Sequence, residues 1–289
     1  RQLKGSIVIS HAGILLPFVL SLPLSYSIYT QYAAAYTDFT PFALFIGIAM
    51  SITAFPVLAR IIQESNLQRT HLGKLSLSTA AAGDITAWFM LAAIIAISQS
   101  GSILSTGYNL LFLIGYLLVM FGIIRPLFRA AGKVYNNTEV ISHGMVGVII
   151  ILLLLSSYIT ELLSMHALFG AFMLGLVMPE DLSFRKIISD KIEDVSLLLL
   201  LPLFFVSSGL QTELGLISGV DMWTLLGAFT LIAIVGKVGG TYISARVCGQ
   251  SPKNSIYLGA FMNTRGLMEL VVLGIGYEMG ILPPAIYNV

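Results

Sequence analysis

Long apolar stretches separated by short polar segments dominate the chain. They lie at about 6–28, 39–62, 74–98, 103–128, 138–160, 166–179, 196–210, 222–246 and 255–278. Because a helix that crosses a bilayer needs about 20 apolar residues, this pattern predicts an all-α polytopic membrane protein with about nine segments in a single transmembrane domain. The sixth and seventh stretches are short enough to be half-helices or re-entrant pieces.

The composition strengthens this interpretation. Of the 289 residues, 57% are hydrophobic and only 10% are charged, against about 45–50% and about 25% in a soluble domain. The excess apolar surface is therefore expected to contact the lipid bilayer. The net charge is +1 and the chain has no basic tract, so we expect no nucleic-acid partner.

The loop charges predict an orientation. Thirteen Lys and Arg residues fall in the loops that share a side with the N-terminus, whereas the opposite loops carry acids such as Asp38 and Glu278. Since positively charged loops remain in the cytoplasm, we expect a cytoplasmic N-terminus. The chain begins at Arg1 and stops at Val289, just after Pro283-Pro284, so we expect a fragment that is incomplete at both ends.

Four ionisable side chains lie inside apolar stretches, where charge is costly and functional roles are common. Asp84 is about eleven residues into its segment, and Lys237 is similarly deep between Gly236 and Gly240, a spacing that favours close helix packing. Arg265 and Glu269 have the i,i+4 spacing that places them on one helical face. A purely structural role is the alternative, most of all for Arg265 and Glu269, which provide each other with a partner.

Asp84 is the leading candidate for an ion- and proton-binding group, since its neighbours are small residues that leave room for water or an ion. Burial disfavours the charged carboxylate and a nearby cation favours it, so a proton and a cation would compete there. The hydroxyls of Ser51, Thr53 and Thr86 are candidate oxygen ligands. Lys237, with Arg265 and Glu269, would compensate charge.

Two segments contain helix-breaking residues. Pro56 follows Ser51 and Thr53 in the second stretch, and Asn263 and Gly266 interrupt the ninth. Proline removes a backbone donor and clashes with the preceding turn. Two interrupted segments, one near each end, are typical of unwound helices that cross at a midplane site between inverted repeats.

Other chemistry is not indicated. Cys248 is the single cysteine, the four histidines lack metal-ligand spacing, and the sequence contains no Walker loop. We therefore expect no cofactor, and no metal site beyond one for a transported monovalent cation.

Five stretches together resemble the transmembrane domain of the monovalent cation:proton antiporter-2 family, which includes bacterial Na⁺ or K⁺/H⁺ antiporters and plant cation/H⁺ exchangers. They are Ser51–Arg60, Ala80–Trp88, His166–Pro179, Leu201–Leu210 and Met262–Leu270.

The resemblance implies the sodium/proton antiporter fold, with inverted five-helix repeats and two crossed discontinuous helices in a core domain. It also implies a homodimer, formed through a dimerisation domain against which the core moves. It implies that Asp84 binds ion and proton, that Thr53 lies at the first helix break, and that Lys237 matches an embedded lysine near the site. Arg265 and Glu269 match charges in the second broken helix. The expected function is a secondary antiporter, not an enzyme, that exchanges Na⁺ or K⁺ for H⁺ across a bacterial inner membrane.

Position 83 departs from the resemblance. The family commonly has Asn or Asp before the key aspartate, and this chain has Gly83, which leaves the exchange stoichiometry open. Two alternative functions also stay open at this point. One is a gated potassium efflux system of the same superfamily, and the other is a multi-pass membrane enzyme or sensor.

Overall fold

A computed structural model describes residues 2–33, 37–99, 103–130, 143–163, 166–178, 190, 193, 196–212, 215 and 219–289. Within these residues the regular structure is helical, and no strand occurs. The predicted stretches 138–160 and 166–179 begin or end on residues outside the described part. The all-α class is confirmed.

The described part of the chain folds into helices of very different lengths. In chain order they are α1 Gln2–Tyr32, α2 Phe39–Ser51, α3 Phe55–Glu64, α4 His71–Ser98, α5 Ile103–Val119, α6 His143–Leu162, α7 Ala167–Val177, α8 Leu201–Gln211, α9 Val220–Val247, α10 Pro252–Met262, α11 Leu267–Glu278 and α12 Pro284–Asn288. A π-helical turn, Met120–Ile124, continues α5, and a second, Ser196–Leu200, precedes α8.

The count of nine membrane spans is not confirmed. In the described part of the chain, six helical segments are long and apolar enough to cross a bilayer, and the bent pair α10 and α11 makes a seventh if it counts as one span. Two further apolar helices, Ala167–Val177 and Leu198–Leu210, are shorter. A helix of 11 residues such as α7 rises only about 16 Å, about half of the hydrocarbon thickness.

One compact unit comprises Arg1–Leu91 and Leu210–Val289. In it, α1 packs against both α2 and α9, and α9 also packs against α10. Glycines allow the backbones of α1 and α9 to approach closely. A Cβ atom on Gly236 would lie 2.7 Å from the Pro17 Cα, and one on Gly240 would lie 2.6 Å from the Ala12 carbonyl oxygen. This packing fixes the depth of Lys237, which lies between the two glycines.

The other compact unit comprises Ala92–Gly209, and here α6 packs against α7. A Cβ atom on Gly170 would lie 2.4 Å from the Ser156 carbonyl oxygen. The Ser156 hydroxyl donates to the Gly170 carbonyl at 2.8 Å and shares a 2.7 Å hydrogen bond with the Tyr116 hydroxyl. Many large apolar side chains of this unit, including Leu118 and Leu154, are exposed, as expected of surfaces that contact lipid.

Candidate functional site

Two broken helices meet in the first unit. Between α2 and α3 the backbone is extended, with φ −72° and ψ 145° at Ile52, and α10 and α11 are bent by 46° at their break. The Ala54 amide donates to the Thr264 carbonyl at 2.9 Å, and the Thr53 hydroxyl donates to the Met262 carbonyl at 2.9 Å. These bonds join residues about 210 positions apart, so the structure brings the two interrupted segments together.

The residues at the breaks have distinct roles. Pro56 lies in the first turn of α3, where a backbone N–H has no helical partner, so the proline begins the helix. The break that the sequence places at Pro56 is the extended segment directly before it. Asn263 ends α10. Gly266 allows close approach, because a Cβ there would lie 3.1 Å from the Val57 Cγ2 and 3.3 Å from the Ala54 Cβ.

Two embedded cations lie at the C-terminal end of α2. The Lys237 ammonium, whose side chain is only 2% exposed, donates to the Ser51 carbonyl. The Arg265 guanidinium donates to the Met50 carbonyl at 3.2 Å. The last carbonyls of a helix lack intrahelical partners and carry partial negative charge. Both cations therefore cap the half-helix, and Lys237 does not extend its ammonium to the membrane surface.

Glu269 completes the charge arrangement on α11. Its carboxylate accepts a hydrogen bond from Arg265 in an ion pair, with side-chain exposures of 19% and 25%. Both residues line a cavity of about 240 Å³, together with Met50 and Asn263. The pair and the Met50 carbonyl thus give each of the two charges a partner.

The Asp84 carboxylate has a different environment. It is half-buried in α4, and its Oδ1 atom is buried without a hydrogen-bond partner in the described structure. The described residues form no ion pair between Asp84 and Lys237, whose ammonium lies on the α2 carbonyl instead. Of the four predicted embedded charges, Asp84 is thus the one without a compensating partner among the described residues.

The candidate hydroxyls are placed unequally. Thr53 lies at the first break and lines a small cavity with Gly83 and Lys237. The Ser51 hydroxyl donates within α2 to the Gly47 carbonyl at 2.7 Å, so its carbonyl, rather than its hydroxyl, faces Lys237. The Thr86 hydroxyl donates to the Ala82 carbonyl at 2.9 Å and lies 3.5 Å from His11 Nε2. Thr86 is not in the wall of that cavity.

Three hydroxyl-bearing residues of the cavity wall were not predicted from the sequence. They are Ser10 on α1, Thr79 on α4 and Thr241 on α9. Thr79 and Thr241 are fully buried, and Ser10 is 5% exposed. The available sequence signal was a hydroxyl residue in an apolar helix within about one turn of an embedded charge, which holds for Thr241 beside Lys237.

The oxygen atoms at the first helix break suit a hard monovalent cation. They are the Thr53 hydroxyl and the carbonyls of the unwound backbone, and hard cations prefer oxygen ligands to sulfur. Among the residues that the structure describes, no group of three or more His, Cys, Asp or Glu side chains could hold a metal ion.

Comparisons with known proteins match the whole chain. Residues 1–289 match the family described as sodium/hydrogen exchanger, transmembrane. The chain is 38% identical over 289 residues to the "Na(+)/H(+) antiporter NhaS4" of Synechocystis, covering all of this chain and 70% of the relative. It is 38% identical over 290 residues to "Cation/H(+) antiporter 17" of Arabidopsis thaliana, covering 100% of this chain and 35% of the relative.

A yeast protein is similar as well. The chain is 29% identical over 299 residues to "K(+)/H(+) antiporter 1" of Saccharomyces cerevisiae, covering all of this chain and 34% of the relative. The chain therefore spans about a third of the length of the plant and yeast relatives. The names of the three relatives describe transporters rather than enzymes.

Proposed function

This chain belongs to the sodium/hydrogen exchanger family, and we propose that it exchanges a monovalent cation, Na⁺ or K⁺, for H⁺ by competition at Asp84. The observation that carries the proposal is the buried Asp84 Oδ1 atom, which has no hydrogen-bond partner among the described residues. In the same unit Lys237, Arg265 and Glu269 all have partners. A buried charge without a partner is costly, so a site of this kind favours the binding of a neutralising cation or proton.

The coupling of the two ions follows from the charge of this carboxylate. With a proton or a monovalent cation bound, Asp84 is close to neutral, and the site can change its exposure from one side of the membrane to the other. Without either, the carboxylate is charged and its movement through the apolar region is opposed. Because one group binds both ions in turn, movement of one ion requires return of the other.

The capped α2 terminus supports this role. Lys237 and Arg265 occupy the last carbonyls of α2, and Glu269 balances Arg265. The crossing therefore holds the unwound backbone in place without using Asp84. We propose that Thr53 and the unwound backbone near it supply further oxygens to the bound cation, with Ser51 and Thr86 in supporting positions.

The relatives support both cations as substrates, since their names include Na⁺/H⁺, K⁺/H⁺ and cation/H⁺ antiporters. The chain is an integral membrane protein. We further propose a cytoplasmic N-terminus, from the one-sided loop cations, a bacterial inner membrane as the location, and a homodimer in which the core moves against a dimerisation surface. Because position 83 is glycine rather than the Asn or Asp common in the family, the ratio of cations to protons exchanged has to be measured.

The test is cation-driven collapse of a preformed pH gradient in everted vesicles that carry the full-length protein. Na⁺, K⁺ and Li⁺ are titrated against the wild type, Asp84→Asn and the matched control Asp38→Asn, an exposed carboxylate at the N-terminus of α2. We expect exchange in the wild type and the control and none in Asp84→Asn. Cation-dependent proton flux in correctly inserted Asp84→Asn would contradict the proposal.

A further inference from the structure

A small cavity beside Gly83 is lined by hydroxyl groups from three helices. Ser10 of α1, Thr79 of α4 and Thr241 of α9 all contribute to its wall, and Lys237 lines it as well. Thr53 also lines the cavity, but its hydroxyl already donates to the Met262 carbonyl at 2.9 Å. Asp84 is not part of the wall. The function proposed above assigns no role to these three hydroxyls.

These hydroxyls have an unusual property. The oxygen atoms of Ser10, Thr79 and Thr241 are buried and have no hydrogen-bond partner among the described residues. Leaving a buried hydroxyl unpaired is costly, and most buried side-chain polar atoms in proteins have a partner. Three unpaired hydroxyls in the wall of one cavity therefore indicate a bound species that satisfies them together.

The cavity also has a charged donor. A lysine ammonium has three N–H donors, and the described contact of Lys237 is its single bond to the Ser51 carbonyl. The bound species must therefore accept from an ammonium while it exchanges hydrogen bonds with neutral hydroxyls. A water molecule meets both requirements, because it donates two hydrogen bonds and accepts two.

The size and charge of the cavity exclude other occupants. The cavity volume is about 10 Å³, which corresponds to the space of about one water molecule. A second cation is disfavoured because it would lie beside the Lys237 ammonium in a region of low dielectric constant. Anions such as phosphate are too large for this volume.

We propose that one water molecule binds in this cavity, where it accepts a hydrogen bond from Lys237 and is held by Ser10, Thr79 and Thr241. The water links α1, α4 and α9 around the ammonium. It gives Lys237 a second partner, so that the ammonium stays at the end of α2 rather than on Asp84. The water site follows from the cavity geometry, whereas its effect on exchange rests on the proposed function.

Gly83 is part of the reason that the site exists. A Cβ atom at position 83 would lie 2.9 Å from the Ser10 hydroxyl oxygen. The hydroxyl from α1 therefore occupies the space that a side chain at position 83 would need. A residue larger than glycine would push Ser10 away from the cavity wall and disturb the water.

The first test uses swaps of nearly equal volume, Thr79→Val and Thr241→Val, with thermal unfolding of the purified full-length protein as the measurement. If water bridges the hydroxyls, each variant loses a hydrogen bond, and we expect the unfolding temperature to fall by about 2–4 °C. Thr241→Ser, which keeps the hydroxyl, is expected to retain most of the stability. If the hydroxyls are unpaired in a dry cavity, valine removes a polar group that is costly to bury. An unchanged or higher unfolding temperature would therefore overturn the proposal.

The matched control is Ser244→Ala, about one turn from Thr241 on α9. The Ser244 hydroxyl donates to the Gly240 carbonyl of its own helix at 2.7 Å, so this change does not involve the cavity. A drop for Ser244→Ala as large as that for Thr241→Val would show a general effect of hydroxyl loss on α9 and would contradict the proposal.

The second test is an experimental structure at a resolution that shows ordered water, determined with Rb⁺ present. We expect one density peak within hydrogen-bond distance of the Thr79 and Thr241 hydroxyls, without anomalous signal from Rb⁺. The absence of a peak, or a peak with anomalous signal, would overturn the water assignment. Neither test measures transport, so failure of the water site and failure of antiport are distinguishable.

Discussion

The Asp84 region and the Arg265–Glu269 region both contain a carboxylate within an apolar helix, but the two carboxylates differ in whether they have a partner. Glu269 is paired with Arg265, which also donates to the Met50 carbonyl. Within the described part of the chain the buried Asp84 Oδ1 atom has no hydrogen-bond partner, and three hydroxyls that also lack partners line the cavity beside Gly83. Embedded charge is therefore not a sufficient indication of an ion site.

The difference teaches which charges a moving ion can use. A paired charge is already neutralised, and displacing its partner costs much of what a new ligand would contribute. An unpartnered carboxylate has no such competitor, so a cation or proton binds without first breaking a bond. In the proposed mechanism the paired region supports the crossing, and the region of Asp84 is the ion site.

The largest expected effect separates the two carboxylates by activity. Asp84→Asn reduces cation-dependent proton flux in vesicles to the level of vesicles without the protein, because the shared binding group is lost. Glu269→Gln lowers the rate but keeps a saturable response to the cation, since Asp84 is still present. Equal and complete loss in both variants, at equal insertion, would remove the functional distinction between the regions.

Thermal stability is expected to rank the two variants in the opposite order, with Glu269→Gln less stable than Asp84→Asn. Glu269→Gln leaves Arg265 without its carboxylate. The pair is partly exposed, so we expect a loss of about 2 kcal/mol, between the values for exposed and fully buried pairs. Asp84→Asn is expected to be neutral or stabilising, because it removes an unpartnered charge. Thermal unfolding of the purified variants is the measurement.

A double variant controls for general damage at this pair. Arg265→Met with Glu269→Met removes both charges and is expected to regain most of the lost stability. If the double variant is as unstable as Glu269→Gln alone, the ion pair is not the source of the loss.

The next change tests the close packing of α1 against α9, which positions Lys237. Gly240→Ala places a Cβ atom 2.6 Å from the Ala12 carbonyl oxygen, and we expect a loss of about 1–2 kcal/mol from overpacking between α1 and α9. Gly239→Ala is the adjacent control, because a Cβ atom at position 239 would lie 3.7 Å from the Leu16 Cδ2 atom, an ordinary van der Waals distance. Similar unfolding temperatures for the two variants would show that α1 and α9 do not depend on this close approach.

The smallest expected effect concerns Gly83. The new Cβ atom in Gly83→Ala would lie 2.9 Å from the Ser10 hydroxyl oxygen, so the hydroxyl has to move. Because that side chain can rotate, we expect a cost of only about 0.5–1 kcal/mol. Ser10→Ala in the same chain removes the oxygen and is expected to cancel most of that cost. A double-mutant cycle of unfolding free energies measures the coupling, and additive effects would show that the two positions do not interact.

The all-α membrane class could be predicted from the sequence, and so could the main residues of the candidate site. Apolar stretches identify membrane helices without a structure. Because charged residues are rare inside such stretches, Asp84 and Lys237 are conspicuous in the sequence. The helix breaks at Thr53 and Asn263 were visible because polar residues also stand out in an apolar segment. The count of spans was less predictable, since α7 and α8, of 11 residues each, do not reveal from their composition how they cross.

The i,i+4 spacing gave the Arg265–Glu269 pair, but the backbone partners of the two embedded cations could not be predicted. Lys237 donates to a carbonyl that is 186 residues away, and no local pattern carries that pairing. The hydroxyls were hidden for another reason. Ser244 satisfies its hydroxyl within its own helix at 2.7 Å, whereas Thr241 has no partner among the described residues, and the two residues look alike in a sequence.

The most direct test of the central claim is the number of protons released when a cation binds. Calorimetric titration of the purified full-length protein with Na⁺ or K⁺, in buffers of different ionisation enthalpy, measures this number near the pH at which Asp84 is half protonated. Competition at one carboxylate predicts proton release in the wild type and in Glu269→Gln, and neither release nor cation binding in folded Asp84→Asn. Proton-coupled cation binding that persists in Asp84→Asn would contradict the account.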